Sequence, residues 1–104
     1  MKIFIIDFSD NEDFALHFPK GHEMITEKYD GAMAYKTIGE ELPDKIFINY
    51  KSKPSHGRQT AISVMNRKKT AKIPIYFVDG NTTDNEKIKF IGTCIKSNDI
   101  NDHL

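Results

Sequence analysis

The chain has 104 residues, which is the size of one ordinary domain, so we expect a single domain over residues 1–104 with one core. Apolar residues make up 38%, charged residues make up 29% and the mean hydropathy is −0.52, a composition that excludes a membrane span and a disordered chain. Fifteen basic residues balance fifteen acidic ones, so net charge gives no argument for binding to nucleic acid or to an anionic membrane.

The beginning of the chain and its cysteine content predict a cytoplasmic protein. The apolar run 1–6 meets Asp7 before a signal-peptide core is complete, so it predicts a strand and not an export signal. Cys94 is the only cysteine, which excludes an intramolecular disulfide and favours the reducing cytoplasm. We interpret Cys94 as a small buried apolar side chain without chemistry of its own.

The first half of the chain predicts two strong strands and one weak one. A strand at 2–6 is followed by a helix that begins at Ser9 with a capping-box pattern and ends before 19–21. A second helical piece is expected at 22–29, then a weak strand at 32–36 and a strong one at 45–50. Only residues 37–43 separate these last two strands, which are too few for a full crossover helix.

The second half predicts two helices that alternate with two strands. The clearest helix covers 58–69, and a strand at 73–78 follows it. A helix at 84–91 ends before Gly92, and a last strand lies at 93–96. We therefore expect a three-layer, flavodoxin-like α/β fold with a five-stranded parallel sheet, a shortened second helix and no last helix.

Two segments are too short for an ordinary helix, 37–43 and 97–104, and they predict an uncovered apolar surface. Because residues 97–104 are too few for an ordinary last helix, sheet or helix surface near the first and last strands is expected to stay exposed. A second copy of the chain is the simplest partner for such a surface, so we expect a homodimer.

Ligands of open α/β sheets bind where the strands end, which directs attention to Asp7, Asn49, Asp79 and Lys96. At these positions the chain resembles the receiver domain of bacterial response regulators, through Ile5-Ile6-Asp7, Ile46-Phe47-Ile48-Asn49, Ile73-Pro74-Ile75 and Cys94-Ile95-Lys96. The resemblance implies a signalling fold. In receivers an aspartate stands at the position of Asn49 and accepts a phosphoryl group, beside an acidic pair that binds magnesium and a lysine. Asn49 is too weak a nucleophile for that step, Phe8 replaces one acid, and Asp79 stands where receivers place Ser or Thr. Only Lys96 matches, where it could pair with Asp7 or Asp79, so the pocket is interpreted as vestigial, without metal or cofactor.

The loop 54–58 is the second candidate site, an anion site formed by Ser55, His56, Gly57 and Arg58 with Lys96. Gly57 allows close backbone approach, and Arg58 offers a two-pronged grip on a phosphate or carboxylate. The favoured interpretation is structural, with Ser55 or His56 capping the helix and Arg58 paired with an acid such as Asp79. Neither a serine–histidine catalytic pair nor a metal-binding histidine spacing is present.

Residues 51–72 form the third candidate, a basic segment with seven basic residues and no acidic one. Residues 1–50 carry a net −5 and residues 73–104 a net −2, so the remainder of the chain is acidic. Nucleic-acid binding is one interpretation, although the segment lacks the aromatic residues that stack on bases. A solvated helix whose cations meet acids of this chain or of a second copy is the favoured one.

Together these observations predict a non-catalytic bacterial receiver-like module that signals or acts by contact with another protein. The alternative is a protein that binds phosphate or another small anion, or handles phosphoryl groups, in the strand-end pocket. Nucleic-acid binding through 51–72 is the third alternative.

Overall fold

Short runs rich in Ile and Phe form a five-stranded parallel sheet in the computed structural model, which describes residues 1–104. The strands are β1 (Lys2–Ile6), β2 (Glu23–Glu27), β3 (Lys45–Asn49), β4 (Ile75–Val78) and β5 (Thr93–Ile95). Their order across the sheet is β2-β1-β3-β4-β5. The expected flavodoxin-like α/β fold with a five-stranded parallel sheet is therefore confirmed.

Two layers of unequal depth cover the sheet. The helices α1 (Gly31–Glu41), α2 (Pro54–Asn66) and α3 (Thr82–Glu86) follow β2, β3 and β4. One core cluster joins Phe4, Ile48 and Phe77 of the sheet to apolar residues of α1 and α2. The other face is covered by two 3₁₀ helices, Phe14–His17 after β1 and Ser97–His103 after β5.

The prediction for residues 22–36 is wrong in both of its elements. Residues 23–27 form edge strand β2 where we expected a helix, and α1 occupies the place of the weak strand 32–36. Asp30 caps α1, since its side chain accepts a hydrogen bond from the amide of Ala32 at 2.8 Å. Ala34 and Ile38 lie four residues apart and are fully buried, which is the spacing of one helix face.

The predicted shortening of the second helix is also wrong, because α1 spans 11 residues between β2 and β3. The short connection follows β1 instead. The expected helix from Ser9 is reduced to one 3₁₀ turn, because the Ser9 hydroxyl donates to Asp7 at 2.6 Å and is not available as a helix cap. After β5 the structure has a 3₁₀ helix and no α-helix, as expected.

Two later helices begin earlier than predicted. α2 starts at Pro54, four residues before the predicted start, because proline is favoured in the first turn of a helix. α3 starts at Thr82 after Asn81, whose side chain accepts from the amide of Asp84 at 2.8 Å. The chain then continues to β5 through turns, so only part of the predicted helix 84–91 is helical.

The predicted uncovered apolar surface is absent from the face that lacks α-helices. Phe14 and Phe18 from the first 3₁₀ region and Ile100 from the second are buried against Ile5 and Phe47. Cys94 also differs from expectation, because it is exposed on edge strand β5. No helix of this chain has the length and apolar character needed to span a membrane.

Candidate functional site

Strand register places the polar strand-end residues at two heights along the edge of the sheet. Ile6 aligns with Glu27 on one side and Ile48 on the other, so the next residues, Asp7, Lys28 and Asn49, lie side by side. Val78 aligns with Asn49 and with Ile95, so Asp79 and Lys96 lie one residue farther out. The sheet therefore divides the predicted pocket into an inner group (Asp7, Lys28 and Asn49) and an outer pair (Asp79 and Lys96).

The carboxylate of Asp7 is the centre of the inner group, and its residue is only 2% exposed. Its Oδ1 accepts from the Ser9 hydroxyl at 2.6 Å, the Ser9 amide at 3.1 Å and Asn49 Nδ2 at 2.9 Å. Its Oδ2 accepts from Lys28 Nζ at 3.0 Å. Both carboxylate oxygens are thus occupied by donors from this chain.

These donors determine the charge state of Asp7. Burial alone raises the pKa of a carboxyl, but hydrogen bonds from Ser9, Asn49 and Lys28 to the charged form outweigh burial here. The pKa of Asp7 is held below its ordinary value of 3.8. Asp7 is therefore an ionised carboxylate at neutral pH, with its charge neutralised by Lys28.

Asn49 lies at the predicted place, the last residue of β3, and faces Asp7. Its Nδ2 donates to Asp7, and its Oδ1 accepts from the backbone amide of Lys51 at 3.3 Å. The amide side chain is thus a bridge between β1 and the loop after β3. An amide has neither the negative charge nor the nucleophilicity of a carboxylate.

The outer pair, Asp79 and Lys96, lines a cavity of about 560 Å³ together with Lys51 and Asp99. Asp79 has a left-handed backbone with φ 61°, and its Oδ1 accepts from the amide of Ser97 at 2.9 Å. Lys96 is exposed and forms an ion pair with neither Asp7 nor Asp79. Its predicted pairing with Asp7 is replaced by Lys28.

Lys28 is the member of the inner group that the sequence did not predict. Its position depends on β2, and the sequence pattern predicts a helix there, which places no strand end before Lys28. The available signal was the polar alternation of an edge strand that ends at Glu27, followed directly by a cation.

The residues of loop 54–58 do not meet at one point. Ser55 and His56 are exposed in the first turn of α2, and neither side chain caps the helix. Gly57 is buried, and a Cβ there would lie 2.8 Å from Ile48 Cγ2. Close packing of α2 on β3 explains this glycine, and the predicted approach of an anion is not needed.

Arg58 is engaged with its own chain. Its Nη1 donates to the hydroxyl of Tyr50 at 3.0 Å and lies 3.9 Å from Asp84 Oδ1. Tyr50 is 1% exposed, and its hydroxyl donates to the carbonyl of Asp84 at 2.8 Å. Arg58 therefore links α2 to α3 through a buried tyrosine, and its acid partner is Asp84 where the sequence suggested Asp79.

Solved structures decide which fold this arrangement belongs to. The crystal structure of the N-terminal domain of a response regulator receiver protein from Methanoculleus marisnigri JR1 matches 91% of this chain and 82% of that chain, with a TM-score of 0.69 and 16% identity. The chain has the receiver fold. No family model and no curated protein sequence matches this chain.

The receiver fold raises the question of magnesium, which the residues at this edge do not fit. Asp7 is the only carboxylate of the inner group, and its two oxygens already accept four hydrogen bonds. Magnesium needs one or two available carboxylates together with phosphate oxygens in octahedral geometry. No group of three or more His, Cys, Asp or Glu side chains lies close enough elsewhere to hold a metal ion.

The basic segment 51–72 lies on and around α2 of the receiver fold. Of its seven cations, Arg58 pairs with Asp84, and Arg67 stacks on Tyr35 with its guanidinium carbon 3.5 Å from the ring centroid. The other five are exposed and have no acid partner in the chain: Lys51, Lys53, Lys68, Lys69 and Lys72. Lys51 and Lys53 precede α2, and the other three follow it. Because a helix of 13 residues is about 20 Å long, the two groups form no single basic patch.

Proposed function

We propose that this chain is a non-catalytic receiver-like module that acts in signalling through contact with another protein. The observation that carries the proposal is the inner group, in which Asn49 donates to Asp7 at 2.9 Å and Lys28 neutralises it at 3.0 Å. An acyl phosphate requires a free carboxylate nucleophile, and this arrangement uses its one carboxylate as a hydrogen-bond acceptor. The pocket thus connects β1, β2 and β3 where an active receiver would accept a phosphoryl group.

The contacts at the strand ends also support a module that stays in one conformation. In a receiver, charge added at the end of the third strand must be sensed by neighbouring side chains. Here two neighbours of that position are already engaged, Lys28 with Asp7 and Asp79 with the amide of Ser97, while Lys96 is exposed and contacts neither acid. The proposed module therefore presents one surface to its partner without a phosphorylation cycle.

A titration of the ¹⁵N-labelled chain with Mg²⁺ and then beryllofluoride tests the proposal. We expect no saturable amide shifts at Asp7, Gly57, Arg58 or Asp79. Saturable shifts confined to these residues would contradict it. An Asn49→Asp variant serves as the matched comparison, since a second carboxylate beside Asp7 should produce Mg²⁺-dependent shifts that the parent lacks.

Turnover is measured separately with acetyl phosphate and with nucleoside triphosphates in the presence of Mg²⁺. We expect no release of phosphate above the buffer rate. Magnesium-dependent hydrolysis that disappears in Asp7→Ala would instead establish the alternative of a phosphoryl-handling protein.

The partner is proposed to be a protein, and a second copy of the chain is one candidate. Three large apolar side chains are more than 80% exposed, namely Leu16, Tyr29 and Phe90. They offer contact surface, and Leu16 does so from the first 3₁₀ helix, whereas the strand residues beneath the 3₁₀ helices are buried. Light scattering at increasing concentration distinguishes a dimer from a monomer that binds another protein.

A further inference from the structure

A groove on the outer side of the α1–α2 helix pair is a surface feature that the receiver pocket does not explain. It has a volume of about 630 Å³ and is lined by 11 residues, none of which belongs to the inner group or the outer pair. Pockets for small organic ligands typically measure about 300–1,000 Å³. The groove is therefore large enough for a ligand of nucleotide size.

Aromatic rings line the end of the groove near the start of α1. Tyr29 is 89% exposed, although a ring of this size is usually packed or bound. Tyr35 is fixed in place, because the Arg67 guanidinium stacks on its ring and Nη1 of Arg67 donates to its carbonyl at 3.0 Å. Phe8 and His56 meet edge to face with ring centroids 6.3 Å apart. Such rings offer faces and edges to a planar ligand.

The charge of the groove favours an anion. No acidic residue is among the lining residues, and Lys53 is their one lysine or arginine. Lys53 precedes α2 with φ 47°, is exposed, and has no acid partner in this chain. An anionic group bound beside Lys53 would meet a cation that the protein leaves unneutralised.

Polar side chains along α2 complete the lining. Gln59, Ser63 and Asn66 lie three or four residues apart, so they share one face of the helix. All three are exposed and make no side-chain hydrogen bond within the chain. Gln and Asn amides pair with the amino and ring nitrogens of adenine through two hydrogen bonds.

The groove combines aromatic faces, one unpaired cation and free amides. We propose that the α1–α2 groove binds a purine nucleoside monophosphate. The base stacks on the exposed ring of Tyr29 and pairs with the amide of Gln59, and the phosphate lies beside Lys53. The proposal does not rest on the inner group, because the groove shares no residue with that group and needs no magnesium. A bound nucleotide would change the surface that the module presents on α1 and α2.

The test is a titration of the ¹⁵N-labelled chain with AMP, with adenosine and inorganic phosphate as separate arms. AMP should give saturable amide shifts at groove residues such as Gly31, Ala32 and Ser63, and adenosine should bind more weakly at the same residues. Inorganic phosphate should leave these amides unshifted. Absence of saturable shifts with AMP, or identical shifts with phosphate alone, would overturn the proposal.

Two pairs of variants locate the site. Lys53→Gln should weaken AMP binding about fivefold to tenfold, while Lys51→Gln, which changes an exposed lysine outside the groove, should leave it unchanged. Tyr29→Ser should weaken binding by about fivefold or more, and Phe90→Ser should have no effect, since Phe90 is 97% exposed and lies outside the groove. Equal losses in the two lysine variants would show diffuse attraction to the basic segment and would refute the assignment.

Discussion

Replacing Lys28, the cation that pairs with Asp7, is the sharpest test of which contacts stabilise the strand-end pocket. In Lys28→Met the stem stays apolar and the ammonium group is lost. All three other donors to Asp7 bind Oδ1, so Oδ2 would lose its only partner. The side chains of Lys28 and Asp7 are 12% and 3% exposed, so water replaces the ammonium poorly.

The expected loss of stability in Lys28→Met follows from these contacts. A hydrogen bond to a charged group is worth about 1.5–3 kcal/mol, and breaking a fully buried ion pair costs about 3–5 kcal/mol. Because Oδ1 keeps its three donors, we expect Lys28→Met to lower the free energy of unfolding by about 2–3 kcal/mol in urea at neutral pH. The control is Lys89→Met, which removes a pair with Glu86 at 2.7 Å whose side chains are 59% and 61% exposed. Despite its shorter distance, this pair should contribute less than about 0.5 kcal/mol.

The pH dependence gives a second readout. The pKa of Asp7 in the folded chain is below 3.8, so its contribution to stability is present above 3.8 and is lost as pH falls through the folded pKa. Without Lys28 the pKa rises, so the variant loses this contribution at higher pH than the parent. The difference between parent and Lys28→Met should therefore shrink in acid. A variant no less stable than Lys89→Met at neutral pH, or a difference independent of pH, would refute this account.

Three further substitutions test other parts of the fold by urea or thermal unfolding. Tyr50→Phe removes the hydroxyl that accepts from Arg58 and should cost about 1–2 kcal/mol; no loss would show that this buried link is unimportant. Ile100→Ala should cost about 2–5 kcal/mol, because Ile100 is fully buried, and a cost below about 1 kcal/mol would mean that the second 3₁₀ helix does not cover the sheet. Gly92→Ala places a Cβ 2.5 Å from the carbonyl oxygen of Ile75 and should cost about 2 kcal/mol or more; a neutral result would contradict this close approach.

The central strands could be predicted because burial on both faces leaves an unambiguous signal. Runs such as Ile46-Phe47-Ile48 are apolar at every position, a pattern typical of parallel strands covered on both sides. Edge strand β2 carries no such run, since Glu23, Met24 and Thr26 are exposed. The segment 32–36 has the opposite error, since its composition predicts a weak strand and the structure has a helix. The Asp30 cap and the spacing of Ala34 and Ile38 indicate that helix.

The candidate site was predictable as far as the strands were. Asp7 and Asn49 follow well-predicted strands, and the structure brings them within 2.9 Å. Lys28 follows the misassigned strand and was missed. Arg58 was recognised as unusual, but its contact with Tyr50 depends on the packing of α2 and α3, which no local pattern encodes.

The unequal covering of the sheet has a consequence for partly folded states. Two short 3₁₀ helices, with poorer hydrogen-bond geometry than α-helices, seal the face that contains Ile3, Ile5 and Phe47. Local opening there requires fewer bonds to break than opening of the α1–α2 layer, so its amides should exchange with solvent first. Each opening exposes apolar strand surface that the native molecule hides. Aggregation of this protein should therefore follow the population of that open form and increase with any substitution that weakens either 3₁₀ segment.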